Sequence, residues 1–191
     1  MAARTDMSSP MPTRRALLAS LLAAAASPAR ANQPIGRIAP AGLVPLLDGL
    51  ARIDDGDPGR PRVRIVFSPL CHRGHEMFLA MRTRRMDASW AWIPYGAGVD
   101  GQRRACQAAL DEGTVRGLEA VLRGAGPEVP DRVMAAQDRA VADRAGRMLW
   151  EATQTALGTP TLVYRRADGT AMAVRGALDA AGLDRLLAAA A

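Results

Sequence analysis

The spacing of hydrophobic residues changes repeatedly after residue 32, and each change marks an element. Residues 32–40 are polar and broken by Pro34, Gly36 and Pro40, the pattern of a loose lead-in. Leu43, Leu46, Leu47 and Leu50 then recur three and four apart, which predicts a short amphipathic helix. Residues 54–61, Asp-Asp-Gly-Asp-Pro-Gly-Arg-Pro, are dense in turn formers and predict an exposed loop. The run Val63-Arg64-Ile65-Val66-Phe67 is rich in β-branched residues and reads as a buried strand, stopped by Ser68-Pro69. Cys71 follows at once, and helix formers over 77–85, with Phe78, Met81 and Arg82 at helical spacing, predict a helix behind it. Trp90-Ala91-Trp92-Ile93-Pro94-Tyr95 is a second strand. Residues 101–125 and 131–157 carry mainly helical patterning, separated by Gly124-Ala125-Gly126-Pro127 and Pro130. After Gly158 the period returns to that of a strand over 161–164. A hairpin turn over 166–169, a returning strand over 172–175 and a last helix capped by Asp179 complete the chain.

The order strand, helix, strand, helical insert, strand, strand, helix predicts an α/β fold, a mixed β-sheet flanked by helices. With 191 residues, 49% of them hydrophobic, the chain suffices for one well-buried core and is short for two. The expected organisation is a lead-in with a short helix over 32–61, then a domain over 62–191 with a helical insert at about 100–157.

Ahead of this lies a different pattern. Thr13-Arg14-Arg15 opens an apolar run that ends in Ser27-Pro28-Ala29-Arg30-Ala31. The run is well short of the ~20 apolar residues that a membrane-spanning helix needs. A basic start, a short apolar stretch and a small-x-small end make residues 1–31 a signal peptide, with cleavage expected after Ala31 and a periplasmic destination. The Arg14-Arg15 pair resembles a twin-arginine export signal, and an ordinary secretory signal fits as well. No later segment is apolar for long enough to span a bilayer.

The formal charge of +6 bears on partners only after that segment is set aside. Without Arg4, Arg14, Arg15, Arg30 and Asp6, 21 basic residues face 18 acidic ones. The arginines, which supply all of the basic charge, are scattered among Asp and Glu, and two Phe and two Tyr offer little for base stacking. Nucleic acid is therefore not an expected partner.

Two stretches resemble a known family. Asp55-Gly56-Asp57-Pro58 through Arg62-Val63-Arg64-Ile65-Val66-Phe67-Ser68-Pro69-Leu70-Cys71 is similar to the approach to the active site in thioredoxin-like thiol:disulfide interchange proteins of the DsbC/DsbG type. Gly158-Thr159-Pro160-Thr161-Leu162-Val163 resembles the Thr-Pro loop of the same family. The likeness runs from about Leu50 to the C-terminus, and residues 32–49 are too few for the family's N-terminal dimerisation domain. It implies a thioredoxin fold with a helical insertion, a reactive Cys71, and a cis Pro160 that faces the sulfur and, with Thr159, binds the substrate backbone. It also implies protein substrates with cysteines and an external thiol or periplasmic reductase as partners. No cofactor is expected, and the oligomeric state stays open.

The local chemistry agrees. A cysteine that opens a helix faces unpaired backbone N–H groups and the positive end of the helix dipole, which favours thiolate, and His72, Arg73 and His75 can add positive charge. The departure from the family is Gly74. Where the family has Cys-x-x-Cys, this chain has Cys71-His72-Arg73-Gly74, so the sulfur that would expel a bound substrate is missing. Three readings follow: interchange or thiol protection through a single cysteine; a non-catalytic binding or chaperone module with a decayed site; or copper handling by Cys71 and His75, four apart. Cys106 is expected as filler on an insert helix, with a Cys71–Cys106 disulfide as an alternative. His72 and His75 are otherwise exposed residues at a helix start. Trp90, Trp92 and Trp150 are expected in core or groove packing.

Overall fold

The computed structural model describes residues 36–84, 88–124, 130 and 132–191, all within one compact unit. The signal peptide expected over 1–31, with cleavage after Ala31, lies outside the described residues.

The centre of the sheet is β3 (Arg62–Phe67), whose alternating residues face two different cores. Val63, Ile65 and Phe67 pack on one face and Val66 on the other. From β3 the chain crosses through α2 (His72–Arg84) to β4 (Ser89–Pro94), which pairs parallel to β3 with Val63 beside Trp90 and Ile65 beside Trp92. After the insert, β5 (Thr161–Arg165) returns antiparallel on the other side of β3, and β6 (Ala171–Arg175) pairs antiparallel with β5. The order β6-β5-β3-β4, with a βαβ unit followed by a hairpin and a helix, is the thioredoxin-like arrangement.

Two edge strands extend it to six. β1 (Arg37–Ile38) pairs with β6 and β2 (Ile53–Gly56) pairs with β4, both antiparallel. Both overturn loop expectations. Residues 54–56 were expected in an exposed loop and instead lie in β2, Asp54 opposite Ala91 and Asp55 opposite Trp90. An edge strand with one wet face tolerates such carboxylates. Gly56 ends the strand at φ +87°, where a Cβ would sit 2.1 Å from the Ala88 carbonyl oxygen, so its glycine is required by close approach rather than by a free turn. In the expected lead-in, residues 37–38 are recruited because β6 offers an open edge.

Helices cover both faces. On one, Met77, Phe78 and Met81 of α2 pack with Leu118, Val121 and Leu122 of α4 (Val115–Leu122) and Leu183 and Leu186 of α7 (Ala180–Ala189). Trp92 centres this core, edge-on to Phe67 at 5.8 Å and to Phe78 at 5.3 Å between ring centroids. On the other face, Leu43, Val44 and Leu47 of α1 (Leu43–Asp48) meet Val141, Ala145 and Leu149. These last three lie on the helix that runs as α5 (Met134–Arg139), through a π segment at Ala140–Ala145, into α6 (Gly146–Thr153). The insert is completed by α3 (Asp100–Glu112). Thr114 caps α4 by accepting from Gly117 N at 3.1 Å, and Asp179 caps α7 by accepting from Gly182 N at 2.7 Å. Trp150, expected in packing, is 52% exposed. It follows the core-facing Leu149 by one position, which turns it about 100° away on a helix.

Arg64 sits in β3 with only 7% exposure, so its charge requires a partner. Asp48 at the end of α1 supplies it with a two-pronged pair, Nε to Oδ1 at 2.7 Å and Nη2 to Oδ2 at 2.8 Å. Burial pushes the Asp48 carboxyl up, but the Arg64 hydrogen bond and charge, with Arg52 and Arg62, hold it below the usual carboxylate value.

Candidate functional site

The Ser68-Pro69 break after β3 forces a turn, and Cys71 N donates to Ser68 O at 3.0 Å. Cys71 then stands directly before α2, its carbonyl accepting His75 N at 3.1 Å. Its side chain is half-buried and points across the sheet end to the loop before β5, where Sγ donates to the Thr159 carbonyl at 3.0 Å. The Thr159–Pro160 peptide bond is cis. Pro160 O accepts from Gly176 N at 2.8 Å, which ties the loop to the end of β6.

Gly74 completes the cluster. A Cβ built there lies 3.6 Å from Cys71 Cβ, 3.8 Å from Cys71 Sγ and 3.9 Å from Pro160 Cδ, all ordinary contacts. The chain thus brings together Cys71, Gly74, Thr159 and Pro160, four residues expected from sequence. The position of the missing sulfur is present and would accept a side chain.

The flanking basic side chains are arranged otherwise than expected. His72 is exposed and faces Glu76, Nε2 to Oε1 at 3.1 Å, while Arg73 is exposed. His75, expected at the surface, is half-buried, and its buried Nε2 has no hydrogen-bond partner among the described residues. One turn into α2 it faces inward, a direction that a search for charge around Cys71 does not consider. No three His, Cys, Asp or Glu side chains among the described residues form a set that could hold a metal ion. Both cysteines are free. Cys106, in α3, is fully buried, and burial first, then the charge of Asp138, pushes its thiol up to about 12.

Sequence reasoning missed the residues that brace this end of the sheet. Ser68 Oγ donates to Gln102 Oε1 at 2.7 Å, joining the turn before Cys71 to α3. Asp138, almost fully buried, accepts from Gly96 N at 2.8 Å, Gly98 N at 3.1 Å and Arg103 Nε at 3.1 Å. Gln137 beside it clasps the backbone of Ala51 and donates to Pro94 O at 2.8 Å. A Gln-Asp pair inside a helical run was the available signal, legible only once that face is known to be buried. Next to the Cys71 turn, a groove of about 550 Å³ opens between Pro69-Leu70 and the helices α3 and α4.

A thioredoxin-like fold with a cysteine at the start of α2 facing a Thr-Pro loop is thus the class that the geometry defines. No family model matches the chain, and no curated protein matches it. Among solved structures, it is similar to a disulfide interchange protein from Neisseria gonorrhoeae, at 17% identity over 74% of this chain and 94% of that one, with a TM-score of 0.49. Pseudomonas aeruginosa DsbA2 is 16% identical over 70% of this chain and 91% of that one, with a TM-score of 0.45. The compact conformation of Proteus mirabilis ScsC is 17% identical over 91% of this chain and 88% of that one, with a TM-score of 0.47.

Proposed function

We propose that this chain is a periplasmic thiol:disulfide interchange or thiol-protecting protein that acts through Cys71 alone, exported by the signal peptide read over 1–31. The observation that carries the reading is the meeting of Cys71 Sγ with the Thr159–Pro160 loop at the start of α2. The Cys71 thiolate attacks one sulfur of a substrate disulfide; the substrate's S–S bond breaks, a protein–substrate S–S bond forms, and the second substrate sulfur leaves as thiolate. An external thiol, or a reductase of the same compartment, attacks that mixed disulfide and restores the Cys71 thiol. Thr159 and Pro160 hold the substrate backbone during the exchange. The DsbC/DsbG likeness rests on the two sequence stretches that carry it.

A second reading is favoured by one specific observation. The place for a resolving sulfur is Gly74, and Cys106 is too buried to stand in. A non-catalytic module that holds extended chains beside Pro160 would have that composition. Incubation with a protein disulfide substrate, acid quenching and intact-mass analysis decides between them. Interchange requires a Cys71-linked adduct, lost in Cys71→Ser and cleared by glutathione; no adduct at any thiol concentration leaves the binding module.

A further inference from the structure

We infer that the groove beside the Cys71 turn selects substrates, taking an extended segment that carries an apolar side chain and, next to it, an acidic one, close to the reacting cysteine. The inference rests on the proposed reading of Cys71 as the interchange residue, and it names the substrate class for that site. Leu70, directly before Cys71, is 74% exposed, and Val99 on the facing loop is 49% exposed. Two exposed aliphatic side chains on the rim of one concavity make an apolar contact surface. Val121 and Leu122 of α4 form the floor, and the cavity of about 550 Å³ has room for one or two side chains.

Charge then narrows the occupant. Two arginines, Arg104 of α3 and Arg123 after α4, line the groove, and among the described residues no carboxylate does. Arg123 is paired with Glu119. Arg104 is exposed and has no ion pair or hydrogen bond among the described residues. An apolar floor edged by one unpaired guanidinium complements a leucine-like residue next to a carboxylate. Successive residues of an extended strand are about 3.3 Å apart and point to opposite sides, so one can enter the floor while its neighbour turns to the rim.

The test uses the exported mature protein and fluorescent decapeptides in which the cysteine is replaced by serine, so that binding is read by anisotropy without thiol chemistry. Leu-Glu is placed just before that serine in one peptide and just after it in another, with Leu-Gln, Leu-Lys and Ser-Glu versions of each. In the better-bound order, Leu-Glu should bind about tenfold more tightly than Ser-Glu, the size of one buried aliphatic side chain. It should exceed Leu-Lys by roughly threefold, the size of an exposed charge pair. Arg104→Glu should reverse the Glu/Lys preference, and Leu70→Ser should weaken every Leu peptide. Equal affinity for all versions, or a preference that Arg104→Glu does not change, overturns the inference. A separate arm with cysteine peptides activated as thionitrobenzoate disulfides follows release of thionitrobenzoate as Cys71 bonds to the peptide sulfur. No release there sinks the interchange reading while the anisotropy still reports on the groove.

Discussion

Replacing Gly74 by cysteine puts a second sulfur where Cys71 can reach it. The Cβ of residue 74 falls 3.6 Å from Cys71 Cβ, inside the ~3.5–4.5 Å span of disulfides. Its nearest other neighbours are Cys71 Sγ at 3.8 Å and Pro160 Cδ at 3.9 Å, so the substitution creates no clash. Glycine inside a helix costs about 0.5–1 kcal/mol relative to alanine, so any side chain that fits there should leave the reduced protein at least as stable. The kinetic consequence is larger. A mixed disulfide on the natural protein waits for an external thiol, whereas a tethered thiol acts at an effective concentration of millimolar or more. With external thiol at about ten micromolar, release of bound substrate should accelerate about a hundredfold. Insulin precipitation followed by turbidity, with a reductant too dilute to reduce insulin itself, measures this. Intact mass of the oxidised variant should show the loss of two hydrogens. If the variant forms the 71–74 disulfide but reduces insulin no faster than the natural chain, the Thr159–Pro160 face is not a substrate site, and the reasoning from geometry to interchange fails.

Four further outcomes follow from the same structure. Iodoacetamide should label Cys71, which is half-exposed, and leave the fully buried Cys106 unlabelled in the native protein, as read by peptide mass spectrometry. Because burial raises the Cys106 thiol to about 12 from an ordinary 9.0, its neutral form stabilises the fold fully below pH 9, and that stability is lost as the pH rises from 9 towards 12; denaturation midpoints over that range should fall less in Cys106→Ala. Asp48→Asn should cost about 1–2 kcal/mol, below the figure for a fully buried pair because Asp48 is 37% exposed. As the Asp48 carboxyl is lowered in the fold, its contribution is fully present above the ordinary value of 3.8 and is lost as the pH falls below it, so wild type and variant should converge in strong acid. Gln137→Ala should orphan Ala51 N–H and the Ala51 and Pro94 carbonyls and cost about 2–4 kcal/mol in urea denaturation.

The central elements were legible because their periods were clean. β3, β4 and β5 are short β-branched or aromatic runs buried on both faces, and Asp179 caps α7 as its position predicts. The edge strands were not legible. β1 holds two residues and β2 carries two aspartates, and both exist only because β6 and β4 offer unpaired backbone edges, which is tertiary information. The same limit applied to His75 and Trp150. Spacing along a helix shows which residues share a face, but not which face another layer will cover, so one expected surface residue turned inward and one expected packing residue turned out. At the site, residues 71, 74, 159 and 160 were found through the resemblance that two short stretches of sequence carry, 55–71 and 158–163. The groove was not found, since its walls come from β3's exit turn and two insert helices that only packing brings together.

On the proposed reading, the glycine at 74 and the groove belong to one argument. In a Cys-x-x-Cys protein the second sulfur expels whatever the first has captured, so an unsuitable partner is soon released and selectivity at the encounter matters little. A single cysteine has no such escape; a chain that it captures by exchange stays until the substrate's own released thiolate or an external thiol attacks the mixed disulfide. Discrimination must then precede the covalent step, in contacts that favour some segments before the sulfurs meet. Leu70, adjoining Cys71 and largely exposed, and Arg104, without an ion pair among the described residues and on the same rim, are placed to supply those contacts. Restoring a sulfur at 74 should therefore do more than raise turnover. It should weaken the dependence of product yield on the residues beside the substrate cysteine, because wrongly captured chains would leave unaided.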